Sequence, residues 1–553
     1  MIRIGNASGF YGDRFAAFQE MLTGGELDVL TGDYLAELTM LILGRDAARD
    51  PALGYARTFL RQMESCLGPA LDRGVKIVVN AGGVNPAGLA GALRELAGTL
   101  GRDAAVGYVT GDAVDRPDAV SANAYLGAFG IAECLRAGAD IVVTGRVTDA
   151  SLVVGPAIAR YGWSRDDFDA LAGATVAGHI LECGTQATGG NFAFFAELAD
   201  VTHPGFPIAE VGADGSCVIT KHPGTGGAVT VETVTAQLLY EIAAPEYLGP
   251  DVVARFDTIA LSENGPDRVA VGGVRGTPPP PTLKLGVNRL GGFRNGMTFV
   301  LTGLDIEAKA ALVQEQLTEA VGLDGLEFHL ARTDHPDPDS TETASALLHV
   351  HLKDSDPKRA GRAFSQAAVE IALGSYPGCF LTTPPGDATP YGVFTAESIE
   401  QDAVPHVAVL PDGTSMAIDA PSVTSVAVRH VPPPPRGPGA PEGTTLRVPF
   451  GTVFGARSGD KGGDANLGVW ARTDAAYEWL RGFLTVERVQ ELLPETAPLT
   501  IERYELPNLR ALNLVVRGLL GPGVAGSTRF DPQAKALGEW LRSRLVDIPE
   551  GLR

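Results

Sequence analysis

"KIVVNAGGVNPAGLAGALRELAGTL", Lys76 to Leu100, decides the fold. Lys76–Val79 is a short apolar run with the length and composition of a buried strand. Gly82 and Gly83 break the run, Asn85 stands where a helix is capped, and Pro86 suits the first helical turn. A helix is expected over Ala87–Leu100. Strand, glycine-rich loop and helix in direct succession make half of a βαβ unit.

The same succession recurs through the first half of the chain. Further strands are expected at Ile2–Ile4, Asp28–Leu30, Ala105–Val109 and Asp140–Val143. Helices are expected near Arg14–Leu22, Tyr34–Leu43, Ala52–Leu71 and Asn123–Ala137. This alternation predicts an α/β body, a doubly wound parallel sheet with helices on both faces. Each strand runs into a small, polar loop: "GNASGFYGD", "TGDY", "NAGGVNP", "TGDAVD" and "TGRVTDAS". Ligands of open parallel sheets bind beyond the carboxyl ends of the strands, so these loops are expected to converge on a site. Ordinary turn chemistry accounts for the same residue types one loop at a time.

From about Thr202 the texture changes to a second α/β unit. Its strands are "PIAEV", "CVITK", "TLKLGV", "MTFVL", "LEFHLA" and "LLHVHL", and its helices Ile306–Ala320 and Lys358–Leu373. "HVPPPPRGPGAPEG", His430 to Gly443, reads as a semi-rigid, extended linker. Beyond it, strands at Thr445–Phe454, Asn466–Ala471, Leu499–Tyr504 and Ala511–Val516 and helices at Ala475–Val489 and Gln533–Leu545 suit a small α+β sheet with helices on one face. The expected division is therefore 1–200, 201–430, a linker at 431–443 and a small domain at 444–553.

Composition excludes some function classes. The chain has 553 residues, 45% of them hydrophobic, with 66 acidic against 44 basic side chains and a net charge of -22. Such a surface repels nucleic acid and anionic membranes, so neither is expected as a partner. No apolar run reaches the ~18 residues of a membrane helix. Cys66, Cys134, Cys183, Cys217 and Cys379 are scattered and odd in number, which reads as a reducing cytoplasm. The first residues enter a strand at once, so no secretory leader is expected.

No phosphate-binding glycine loop, nucleophile elbow or H-E-x-x-H pair is present. Candidate chemistry lies elsewhere. In "HILECGTQATGGNF", His179, Glu182 and Cys183 fall close together at helical spacing, with Asn191 in the loop that follows. Glu182 is a candidate acid or base; a metal site is not expected there, because one His and one Cys are too few. In "TGRVTDAS", Thr148 suits a helix cap, Asp149 is a further acid/base candidate, and Arg146 could grip a carboxylate or phosphate. Asn80 with the backbone N–H groups of Gly82 and Gly83 could hold an oxyanion. "HVH" puts His349 and His351 on one strand face, and two His alone seldom define a metal site. "ARSGDKGGDANLGVW", Ala456 to Trp470, is longer and more charged than a hairpin turn needs. Lys461 could bind an anion or act as a base, with Asp460, Asp464 and Asn466 contributing substrate contacts or, for the Asp residues, a hard cation site. The alternative is a contact between domains.

Taken together, "GNASGFYGD", "TGRVTDAS", "HILECGTQATGGNF" and "RSGDKGGDANLGVW" resemble the acyclic terpene utilisation protein AtuA family, over nearly the whole chain. One departure is Gly463, where Asn is expected in many relatives. The resemblance implies a ferredoxin-like C-terminal domain and a place in the catabolism of branched or isoprenoid acids, beside enzymes acting on acyl-CoA thioesters. It carries no agreed catalytic residues. The expectation is a lyase-type hydratase or dehydratase acting on an acyl-CoA thioester, with no cofactor beyond the coenzyme A of its substrate. The protein is expected to be a cytoplasmic homo-oligomer with a small-molecule substrate. Two alternatives stay open: a non-catalytic binding or assembly subunit for acyl-CoA enzymes, and a metal-dependent hydrolase.

Overall fold

The structure, a computed structural model, describes residues 1–426 and 443–553. The linker expected at His430–Gly443 lies, except for Gly443, outside the described residues. The described chain divides into two compact units, residues 1–288 with 394–553, and residues 289–393.

The first unit is built on β1 (Ile2–Asn6), β2 (Val29–Gly32), β3 (Lys76–Val79), β4 (Val106–Thr110) and β6 (Ile141–Thr144). They pair in parallel in the order β1-β2-β3-β6-β4. Antiparallel strands extend both edges: Pro207–Val211, Cys217–Lys221, Val269–Gly272 and Ala260–Glu263 beyond β1, and Val407–Val409 and Ser415–Ala417 beyond β4. Side-chain alternation along a strand explains why helices cover both faces. Ile77 and Val79 enter one core with Phe59 and Leu89, from helices Arg57–Arg73 and Pro86–Thr99. Val78 and Val142 enter the other with Ile131, Ile158 and Leu171, from Phe129–Arg136, Ser151–Tyr161 and Phe168–Glu182. Burying each such side chain contributes about 1.5–3 kcal/mol. Asn85 caps its helix as expected, accepting from the Gly88 N–H at 2.9 Å behind Pro86.

The helix expected at Asn123–Ala137 is a correction. Its first part is β5 (Ser121–Ala124), paired antiparallel with Leu285–Asn288, and the helix starts only at Phe129. The Asn123 side chain donates to Asp112 Oδ2 at 2.7 Å, which favours an extended entry over a helical one. "TLKLGV" and "MTFVL" are likewise parts of one strand, Thr282–Thr302.

Helix Phe168–Glu182 is buried at every position from Leu171 to Glu182, as expected for an apolar helix lacking a polar face. Gly178 makes the burial possible: a Cβ there would lie 2.6 Å from Ala150 Cα. That close approach sets the end of this helix against the loop after β6.

Of residues 201–430, those up to 288 and from 394 to 426 belong to the first unit. The second unit pairs Phe293–Thr302 with Ser345–Asp354, and that strand with Leu326–Ala331. Helices Ile306–Val321 and Phe364–Glu370 contribute Val313, Leu317 and Phe364 to its core. His349 and His351 lie two positions apart on Ser345–Asp354, opposite Thr298 and Gly296 of the neighbouring strand, and His349 Nδ1 is 2.9 Å from Thr298 Oγ1.

The C-terminal segment forms an antiparallel sheet in the order Gly455–Lys461, Asp464–Trp470, Ala511–Val516, Ile501–Leu506. Helices Asp474–Phe483, Val486–Leu492 and Leu537–Ser543 cover it, around Phe450, Phe454 and Leu480. Two expectations are corrected. Thr445–Phe454 is not one strand: the chain turns at Phe450–Thr452, and Phe450 and Phe454 stack at 4.7 Å inside the core. "RSGDKGGDAN" is not an open loop: the strands pair up to Lys461 opposite Asp464, leaving only Gly462–Gly463 as a turn. Gly462 takes a φ of +65°, as a two-residue hairpin demands. Among the described residues, no helix is long and apolar enough to cross a membrane.

Candidate functional site

The loops after the five parallel strands meet. From the first, Ser8 Oγ donates to Asp33 O at 2.9 Å. Asn80 Nδ2 donates to Asp33 Oδ1 at 2.5 Å, while its own Oδ1 accepts from the Tyr34 N–H at 2.7 Å. The Arg146 N–H donates to Asp112 Oδ2 at 2.9 Å. A cluster of ionisable groups grows on this frame. Arg146 is 3% exposed. It pairs with Asp149 at 3.0 Å, donates to Leu35 O at 3.1 Å and lies 4.1 Å above the Tyr125 ring. Lys284 stands over the same ring at 4.5 Å and pairs with Glu37 at 3.3 Å.

Glu182 closes the helix that Gly178 admits. It is 8% exposed, and its Oε1 lies 3.0 Å from His179 Nδ1. Its Oε2 is buried and has no hydrogen-bond partner among the described residues. Buried oxygens are nearly always bonded, so this one stands out as a contact left for something else. Burial, with the charges of Asp149 and Glu241, raises the Glu182 pKa well above the ordinary carboxylate value. Burial also lowers His179 to about 4, with Tyr247 and Phe256 rings at 5.2 and 5.4 Å. Burial thus works against the charged form of both partners. Asp33 is raised by burial and by Asp149. Glu37 is held down to about 2 against its own burial by Lys284 and Arg146. Two carboxyl groups pushed up beside one held down is the pattern of an acid–base site.

The cluster opens to solvent on one side: the Lys284, Glu37 and Asp149 side chains keep 43, 28 and 27% exposure. Lys461 borders the same opening. It reaches in from the tip of the C-terminal hairpin, and its Nζ donates to Glu241 O at 2.9 Å. The crowding of protein around it, followed by the charge of Lys284, lowers its pKa. Its neighbour Asp460 is raised to about 7 by burial and by Glu241 and Glu37.

Glu182, Asp149, Arg146, Lys461 and Asp460 thus come together, with Asn80 beneath them. The backbone donors expected at Gly82 and Gly83 are already engaged, Gly82 by Thr144 O at the end of β6 at 3.0 Å and Gly83 by Asn80 O of its own loop at 3.3 Å. Asn191 lies apart, exposed, with its carbonyl accepting from Arg457 at 3.3 Å. Asp464 turns away from Asp460 to pair with Arg517 at 2.6 Å and accept from the Gly518 N–H at 2.7 Å. Asn466 is fully buried where the C-terminal domain meets the body, accepting from the Glu241 N–H at 2.8 Å. Among the described residues, no group of three or more His, Cys, Asp or Glu side chains is arranged to hold a metal ion.

Four participants escaped the sequence reading: Asp33, Glu37, Lys284 and Glu241. Asp33 carried a usable signal, as the acid in a strand-end loop. Lys284 and Glu241 carried none, since tertiary folding alone brings them to the site.

A family model described as "Acyclic terpene utilisation family protein AtuA" matches residues 2–410, and one described as "AtuA ferredoxin-like domain" matches residues 448–547. No curated protein matches the chain.

Proposed function

Because the chain belongs to the acyclic terpene utilisation AtuA family, we propose that it is an enzyme of branched or isoprenoid acid catabolism that adds water to, or removes it from, an acyl-CoA thioester. The observation that carries this reading is the Glu182 carboxyl: buried, its pKa raised by that burial, with Oε2 unpartnered among the described residues. Hydration of an α,β-unsaturated thioester needs a proton for the α carbon and positive charge facing the enolate oxygen. Glu182 supplies the proton through Oε2. Lys461 and Lys284 face the developing charge, with the low-dielectric wall around them strengthening the interaction. Arg146, almost fully buried and paired with Asp149, holds the acidic loop in place. Asn80 fixes Asp33 at the floor of the site.

The test is incubation of the purified chain with a panel of α,β-unsaturated and 3-hydroxyacyl-CoA thioesters of branched acids, read by mass spectrometry. Gain or loss of one water supports the reading. Thermal stabilisation by a thioester without turnover would point instead to a binding subunit.

A further inference from the structure

The sharpest local outlier in the site is a backbone one. Glu241 has a φ of +57°, a left-handed conformation that residues other than glycine take up only where their surroundings hold them. Here the holder is the C-terminal domain. The Glu241 N–H donates to Asn466 Oδ1 at 2.8 Å, and its carbonyl accepts from Lys461 Nζ at 2.9 Å. The next two carbonyls, Ile242 and Ala243, accept from Asn513 Nδ2 at 3.2 and 2.5 Å. Asn466 Nδ2 donates in turn to Asn513 Oδ1, which joins the clamps. Both asparagines are fully buried. The Glu241 carboxylate they position is close enough to act electrostatically on His179, Glu182, Tyr247, Asp460 and Lys461.

We infer that Glu241 is the second carboxylate of the site, set there by the docked C-terminal domain with Asn466 as its positioning residue. The chemical role rests on the hydration reading above. In that direction a water oxygen forms a bond to Cβ, and Glu241 takes the proton that water loses. The Cα=Cβ π electrons move to Cα, which takes the proton of Glu182. One water is added, and a proton passing from Glu241 to Glu182 restores the starting state.

Glu241→Gly separates side chain from backbone. Glycine adopts the left-handed φ freely and keeps both the N–H and the carbonyl that the domain grips. Glu241→Gln, which keeps the side-chain volume, is the second variant. Acetic anhydride added to the full chain over a pH series labels Lys461 in proportion to its free amine, read by peptide mass spectrometry. Without the neighbouring carboxylate, Lys461 is expected to label several-fold faster near neutral pH in both variants, with the melting temperature close to that of the native chain. Labelling equal to the native chain in both variants would overturn the placement. If the native chain turns over the thioester panel, both variants are expected to lose about 10²-fold or more in kcat, and full turnover would overturn the role. Asn466→Ala is expected to lower kcat with KM little changed and to displace the basic limb of the kcat–pH profile; an unmoved profile would remove its positioning role. If the native chain converts no member of the panel, the hydration reading fails, and Lys461 labelling still decides where Glu241 stands.

Discussion

Lys461 reaches out of the C-terminal domain to donate a 2.9 Å hydrogen bond to the backbone carbonyl of Glu241 in the body. The charged hairpin that looked too polar for a turn is therefore a docking edge. Its glycines let it lie flat on the body, and its Asp460 and Lys461 complete a cluster begun by the strand-end loops. Asn508 extends the seam, donating to Phe256 O and Ile259 O at 2.8 and 2.9 Å.

Gly468→Ala tests the docking. A Cβ at this position would lie 2.5 Å from Leu239 Cβ, closer than side-chain atoms approach. The domain must shift, and the clamp on Glu241 must loosen. Hydrogen exchange read by mass spectrometry is expected to show faster exchange over Tyr240–Ala243 than in the native chain, with the core of the C-terminal sheet unchanged. Equal exchange across both regions would contradict the seam described above.

Arg146→Met tests the floor of the site. The substitution keeps most of the side-chain volume and removes the cation that faces Asp149 at 3.0 Å. Removing one partner of a buried pair costs about 3–5 kcal/mol. The loss is expected to be larger at pH 8 than at pH 5. Asp149, already raised by burial, takes up a proton at the lower pH and sheds its uncompensated charge. Urea unfolding at the two pH values measures this, and a loss below about 1 kcal/mol at both would contradict it.

Much of the fold was legible because parallel strands read as unbroken apolar runs. Ile77, Val78 and Val79 are buried on both faces and leave no other interpretation. The strand Thr282–Thr302 was not legible as one element, since Gly291, Gly292 and Gly296 interrupt its apolar pattern. In the site, Glu182 and Arg146 were legible because a charged residue within an apolar helix or at a strand end has few structural uses. Glu241 was not: nothing in "YEIAAPEY" announces a left-handed glutamate, whose conformation depends on Asn466, 225 positions away.

Asp460→Asn tests the electrostatics. Asp460 is raised from 3.8 to about 7, by burial first and then by Glu241 and Glu37. A carboxyl raised on folding binds more protons folded than unfolded, so the native chain loses stability from this group as pH rises from about 4 to about 7. Asparagine does not titrate. The stability of the variant relative to the native chain is therefore expected to climb between pH 4 and 7 and level off above. Urea unfolding across that range reads it, and a difference independent of pH would contradict the assignment.

The most direct test of the account is the turnover of Glu182→Gln on the thioester panel. Glutamine keeps the shape of the buried side chain and a contact to His179 Nδ1, and it removes the proton that Oε2 would exchange. The account predicts that the native chain adds or removes water from at least one thioester. It also predicts a drop in turnover of about 10²–10⁴-fold for the variant, with a melting temperature at or above the native one. Retention of the full native rate by Glu182→Gln would contradict it.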